Sequence, residues 1–321
     1  MTSPLTFAVL DPTSPAGRDV VERLAAAFPA ARRRLFHTTG SEEHLISEVA
    51  GGAELVPPLA DPEELDGAAV VVVTAAPTPT IGKALLGWLR ERPEVVLIDL
   101  GQPALAGSES VVVSGRAPRA RGGSRWFHLP DPLIAGPVRV LEALAPLEPG
   151  ACHLTVFGSV AGFGGGALEE LAGQGAARLS GRTPDRAVVL PHVLAFDLAP
   201  AEPGRRSRLT GELVALFPTV DFRLHAVDAG LFHGHAAALD VACGKKPSRD
   251  KARALLRGAP GLRLARERES LVLTDAIESA AMACGSIEVS GQWLSLWLAG
   301  DGQRLGGAAA VIELLTALMA S

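Results

Sequence analysis

Short apolar runs alternate with helical stretches through the first 115 residues, and few folds accommodate that punctuation. Residues 6–10 (Thr-Phe-Ala-Val-Leu) read as a buried strand. In the next stretch, 17–27, Val20, Val21, Leu24 and Ala27 return to one face at helical spacing. Further strands are predicted at 34–37, 69–74, 95–98 and 110–113, with a helix at 80–92. Right-handed crossovers between such units give a Rossmann-like, doubly wound parallel sheet, whose ligand site lies beyond the carboxyl ends of the strands. Residues 115–125 shift to Gly, Arg, Pro and Ser, marking a seam between domains. Beyond it the chain predicts helices at 137–147, 167–172, 207–217, 248–257 and 307–320. Strands are predicted there at 153–159, 187–190, 222–228, 236–242, 270–274, 287–290 and 293–299. Consecutive late strands call for a mixed sheet in a second, α+β domain. The expected division is therefore 1–125, 126–299 and a last helix in 300–321 that returns to the first domain.

Composition narrows the function classes. With 48% hydrophobic and 20% charged residues, the 321-residue chain has enough apolar surface for two cores and is not disordered. A net charge of -5 supplies no chain-wide footprint for nucleic acid or anionic lipid, and the basic seam lacks interleaved aromatics. The start, Met-Thr-Ser-Pro-Leu-Thr-Phe, has no charged n-region or apolar h-region, and Pro, Gly or charge interrupts the apolar runs. A cytoplasmic protein that meets neither membrane nor nucleic acid is expected. Cys152, Cys243 and Cys284 are an odd, scattered set without CxxC spacing, which points to reduced thiols rather than disulfides or structural zinc.

The order of local phrases resembles the aspartate-semialdehyde dehydrogenase family almost end to end. Residues 7–17, Phe-Ala-Val-Leu-Asp-Pro-Thr-Ser-Pro-Ala-Gly, stand where that family has a strand and a Gly-Ala-Thr-Gly-Ala-Val-Gly turn. Val95 to Asp99 is similar to its strand ending in Ile-Asp. Val160-Ala161-Gly162-Phe163-Gly164, followed by Glu169-Glu170-Leu171, is similar to its Val-Ser-Gly-Ala-Gly turn before a Glu-Glu-Leu helix. Residues 195–200 (Ala-Phe-Asp-Leu-Ala-Pro) resemble Ala-Phe-Asn-Val-Ile-Pro, and Phe232-His233-Gly234-His235 resembles the Phe-Arg-Gly-His phrase of the catalytic histidine. Trp297, Asp301, Arg304 and residues 306–309 resemble the closing segment.

That resemblance implies reduction of an acyl phosphate to an aldehyde by NADPH, or the reverse through a cysteine thiolate that forms and releases a thioester. Several of the residues needed are replaced. The nucleophile's Asn-Pro-Asn-Cys-Ser-Thr-like phrase corresponds to residues 129–134, Leu-Pro-Asp-Pro-Leu-Ile, so Pro132 stands for the cysteine, or Ala135 if the gap slides. Asp131 and Ser124 do not replace it by spacing. The three fingerprint positions of the cofactor turn are Asp11, Ser14 and Gly17; only the last keeps its glycine. Residues 37–43 bring Glu42 and Glu43 where a cation would serve a 2′-phosphate, and the anion-holding arginine after Asp99 becomes Leu105. Gly158, His233, Arg205, Ser207 and Gly302 replace the family's glutamine, arginine, substrate-recognising glutamate and lysine, and nicotinamide asparagine.

What the resemblance leaves is His235 as the catalytic candidate and Ser14, Gly17, Thr38, Gly162 and Gly164 as a degenerate set of cofactor-binding positions. His235 reads as either an acid/base at the domain cleft or a structural histidine, and His233 with His235 at i, i+2 as a metal pair lacking a third ligand. The 162–166 turn reads as a tight turn or an anion cradle, and Thr80 as a helix cap rather than a cofactor contact. The expectation is a semialdehyde dehydrogenase-like homodimer, paired through the second sheet, that has lost the family reaction and kept binding, sensing or scaffolding, with a small-molecule ligand in the interdomain cleft. No cofactor is expected, NADP or NAD if any. The alternative is an active NAD(P)-dependent oxidoreductase on another small substrate, with His235 as acid/base.

Overall fold

A computed structural model describes residues 5–40, 43–49, 52–101, 105–115, 125–267, 269–277, 279 and 281–320. The chain forms two compact units, residues 1–131 with 307–321 and residues 132–306.

In the first unit β1 (Thr6–Leu10), β2 (Arg32–Phe36), β5 (Val70–Val73), β6 (Val96–Asp99), β7 (Val111–Val112) and β8 (Trp126–His128) form one sheet, ordered β2-β1-β5-β6-β8-β7, with every pairing parallel. The central strands β1 and β5 are almost wholly apolar because both faces are covered, whereas the edge strand β2 opens on three arginines. Phe7 and Val9 point into a core with Val20, Val21 and Leu24 of α1 (Pro15–Ala27) and Val311, Leu314 and Leu315 of the last helix, α8 (Ala310–Ala320). Ala8 and Leu10 point the other way, onto Leu85, Trp88 and Leu89 of α2 (Pro79–Arg90). The sheet order reverses at β1, so the switch point lies between the carboxyl ends of β1 and its neighbours.

Several expectations for this unit change. The domain seam expected at 125 moves to 131 because Trp126–His128 adds a strand beside β6. Most of the seam, including Ser124, lies outside the described residues, as do Glu42 and residues 102–104. An antiparallel hairpin, β3 (Leu45–Val49) with β4 (Gly52–Val56), was not anticipated. Thr78, not Thr80, occupies the cap position of α2, and it makes no side-chain cap bond.

The second unit carries a mixed sheet ordered β10-β11-β9-β12-β15-β14-β13. Its strands are β9 (Pro149–Gly158), β10 (Leu198–Pro200), β11 (Asp221–Ala229), β12 (His235–Cys243), β13 (Leu262–Leu264), β14 (Met282–Ser290) and β15 (Trp293–Gly300). One face packs on α3 (Pro132–Ala143), α5 (Pro203–Leu216) and α6 (Arg249–Leu256), through Cys152, Leu154, Val156, Leu239 and Val241 against Ile134, Val138, Leu209, Leu213 and Leu256. The alternating positions, including His153, Arg223, His225, Asp240 and Trp293, are exposed on the other face.

Two predicted strands are absent from this unit. Residues 187–190 are a loop because the carboxylate of Glu170, on α4 (Gly165–Leu179), accepts the N–H groups of Val188, Val189 and Leu190. Residues 270–274 instead run into a short 3-10 turn at Leu273–Asp275. The expected helix at 137–147 starts at Pro132 and holds Pro137 inside it. The expected helix at 307–320 is preceded by α7 (Gly302–Arg304) and a π turn at Leu305–Ala309, kinked where Gly307 leaves helical geometry. The run 302–320 is long and apolar enough to cross a membrane by composition, with 44% of its best window buried. The kink divides it, and α8 belongs to the core of the first unit.

Candidate functional site

The switch point of the first sheet is built by residues 11–17. Asp11 adopts φ +60, the left-handed region where glycine is favoured. Its N–H donates to the Phe36 carbonyl at 2.8 Å. Ser14 caps α1, its Oγ accepting the Gly17 N–H at 2.9 Å and lying 3.2 Å from the Thr74 hydroxyl. Thr74 Oγ1 donates to the carbonyls of Leu10 and Asp11, both at 2.8 Å. Gly17 is fixed by space, since a Cβ there would stand 2.4 Å from the Asp11 carbonyl oxygen.

Thr38 follows β2, the neighbour of β1, and both of its donors point to Asp11. The N–H reaches Oδ1 at 2.7 Å and the hydroxyl reaches Oδ2 at 2.5 Å. Asp11 is only 6% exposed. Burial pushes its carboxyl above the ordinary value, against the two Thr38 bonds and the nearby His37 that favour the ionised form. At the end of β6, Asp99 is also buried, accepting the N–H groups of Gly101, at 2.7 Å, and Leu105, with His128 Nδ1 at 4.0 Å. Its carboxyl too is pushed up by burial, with His128 and backbone N–H groups opposing.

The second unit holds His235 at the start of β12, 2% exposed. Its Nδ1 accepts the Gly302 N–H at 3.0 Å, which places the ring proton of the neutral form on Nε2. Gly302 has no room for a side chain: a Cβ would stand 2.2 Å from the Pro132 carbonyl oxygen and 2.5 Å from His235 Nδ1. Gly306 is similar, with a Cβ there 2.9 Å from that of Ala135 and 3.1 Å from Pro132 Cα. Pro132, half-buried, and Ala135, buried, the two candidate nucleophile positions, thus lie close against Gly302 and Gly306. His233 lies exposed in the turn before β12, so it does not share a buried face with His235. Among the described residues no group of three His, Cys, Asp or Glu could hold a metal.

No side-chain cluster in the sequence reading anticipated the pair Arg205 and Asp228. The guanidinium meets the carboxylate at 2.8 Å and lies over the Phe163 ring, 5.3 Å from its centroid. Asp228 is at an inward position near the end of β11, and a buried acid on an alternating strand was the signal available. Arg205 Nη2 stands 3.8 Å from where a Cβ would project at Gly158 or Gly162. Gly162 ends no helix but sits in the 3-10 turn Val160–Phe163, while Gly164, at φ +94 and ψ -178, adopts a conformation open to glycine before α4. The three thiols are buried. Burial raises Cys152 and Cys284 to about 12 and pushes Cys243 up as well.

No family model and no curated protein sequence matches the chain. Solved structures do. Aspartate semialdehyde dehydrogenase II of Vibrio cholerae, complexed with ASA, superposes with a TM-score of 0.85 at 19% identity, covering 100% of this chain and 99% of that one. A probable aspartate-semialdehyde dehydrogenase from Pseudomonas aeruginosa gives 0.83 at 20% identity, over 99% of both chains. The fold is that of the aspartate-semialdehyde dehydrogenases. The Candida albicans enzyme with NADP shares it at 11% identity and a TM-score of 0.71, over 98% of this chain and 99% of that one. The turn from Asp11 to Gly17 lies at the carboxyl ends of the parallel strands, where doubly wound sheets take phosphorylated ligands, and its residues do not fit a dinucleotide: Asp11 brings a carboxylate there, Pro15 lacks an N–H, and the Gly17 N–H is already bonded.

Proposed function

We propose that this protein is a divergent relative of the aspartate-semialdehyde dehydrogenases that has given up NADP- and phosphate-dependent semialdehyde oxidation and serves as a dimeric cytoplasmic binding, sensing or scaffold protein. The observation that carries the reading is the packing of Pro132 and Ala135 under Gly302 and Gly306, with the three thiols buried elsewhere. Covalent catalysis of this type requires an accessible thiolate, and burial of these cysteines opposes one. His235 uses Nδ1 to hold Gly302, so its role here is to fix the 302 segment rather than to receive a proton from a nucleophile. No dinucleotide cofactor is part of this function.

The test is an assay of purified full-length protein with aspartate semialdehyde, NADP and phosphate, using a catalytically competent enzyme of the same fold as positive control. No phosphate-dependent reduction of NADP is expected. Turnover that survives replacement of each cysteine would overturn the reading in favour of an oxidoreductase using His235 directly.

The dimer is proposed to pair through the uncovered face of the second sheet. Ala238, on the central strand β12, is half-buried there, and the aromatic contacts of His153 with Trp293 (5.0 Å) and Phe157 with Trp297 (6.0 Å) give the face a rigid apolar part. A bulky charge at that position, Ala238→Arg, should shift the protein from dimer to monomer in sedimentation velocity while its circular dichroism stays native. A monomeric wild type would refute the pairing.

A further inference from the structure

The two lost glycines of the cofactor turn were not replaced by inert side chains. Each replacement instead accepts hydrogen bonds from the turn or from the segment after its neighbour β2: Asp11 from Thr38 and Ser14 from Gly17. Asp11, at the first position, accepts both the N–H and the hydroxyl of Thr38. Ser14, at the second, accepts the Gly17 N–H in the first turn of α1 and meets the hydroxyl of Thr74. The arrangement sits at the carboxyl ends of β1, β2 and β5, where a doubly wound sheet takes its ligand. Asp11 also keeps a positive φ that a glycine would adopt without strain, and a carboxylate whose burial disfavours its charge. A side chain held at that cost is explained by the bonds it makes with Thr38.

We infer that Asp11 and Ser14 are an internal occupant of the turn: their oxygens satisfy the anion-binding donors from within and exclude phosphorylated dinucleotides. The inference rests on the proposal that the native protein takes no dinucleotide, and it adds which atoms keep the ligand out. The backbone of an anion-binding turn is retained underneath. Gly17 still allows the close approach of helix and turn, and the residue at position 11 is already left-handed. Shortening both side chains should therefore uncover donors rather than rebuild a loop.

The test titrates NADPH and NADH, followed by nicotinamide fluorescence and calorimetry, into the wild type, Asp11→Gly, Ser14→Gly and the doubly substituted protein. Wild type should show no saturable binding at roughly millimolar concentration, and the double variant should bind at least about tenfold more tightly. Saturable binding by the wild type would overturn this inference together with the proposed function. A double variant with native circular dichroism that still binds nothing would overturn this inference alone.

Should the double variant fail to fold, Thr38→Val measured with Asp11 and with Asp11→Gly supplies the decision. The substitution should lower the folding equilibrium constant roughly tenfold beside Asp11 and have little effect beside glycine. Equal losses in the two backgrounds would show that the internal bond is not what holds the turn.

Discussion

The turn around Asp11 and the neighbourhood of His235 are both tightly held, but by different means. In the first unit polar side chains occupy the donors of a turn whose backbone is preserved. In the second, glycines pack closely on their neighbours: Gly302 lies against the Pro132 carbonyl and the His235 ring, and Gly306 against the Ala135 methyl and Pro132 Cα. A side-chain plug can be shortened without disturbing its surroundings. Close packing against the backbone leaves no room for a side chain at position 302.

The largest effect that sharpens this contrast concerns the thiols of the second unit. Burial raises Cys152 and Cys284 from 9.0 to about 12, which lowers their thiolate fraction about a thousandfold at mildly alkaline pH, before restricted access is counted. A thiol reagent should leave both unlabelled in the native protein and label all three cysteines once urea unfolds it. Rapid native labelling of either would break the picture of a sealed second unit.

Next in size is the cost of a methyl group at the close approaches. Gly302→Ala should destabilise the protein by about 3 kcal/mol in urea denaturation, because backbone rather than a flexible side chain must move. Gly17→Ala meets the Asp11 carbonyl in the same way and should cost a similar amount. A tolerated Gly302→Ala beside a costly Gly17→Ala would mean that only the first unit is tightly closed.

The smallest effect is a pH dependence confined to the first unit. Burial raises the folded pKa of Asp11 above 3.8, so the folded protein holds the proton more tightly than the unfolded chain. Its contribution is fully present below 3.8 and is lost as pH rises through the raised folded value. The stability of the wild type relative to Asp11→Asn should therefore improve as pH falls through that window and flatten below it. A wild type that loses stability relative to Asp11→Asn on acidification would show that the Thr38 bonds outweigh burial.

The doubly wound half was legible because its central strands are covered on both faces and its helix α1 has a regular apolar stripe. The β3–β4 hairpin was missed, and its Ile46 and Leu55 are exposed, so an apolar pattern without burial gave little to read. Residues 187–190 have the β-branched composition of a strand. What they become is decided by Glu170, a residue 18 to 20 positions away that draws their N–H groups into a loop. Asp11, Ser14 and Pro132 could be singled out from the order of phrases along the chain. That Ser14 and Asp11 turn inward to bond Gly17 and Thr38 could not, since Thr38 lies 27 residues from Asp11.

By itself the sequence determined the alternation of strands and helices through the first unit and the division into two units. Those follow from local periodicity and from the order of phrases, which one chain carries in full. Only the tertiary structure decided what the replacements do: Asp11 takes both Thr38 donors, His235 spends Nδ1 on Gly302, and Gly302 fits because it lacks a side chain. Hydrogen bonds and contacts between residues distant in sequence depend on distances of a few tenths of an ångström, and no pattern along the chain encodes them.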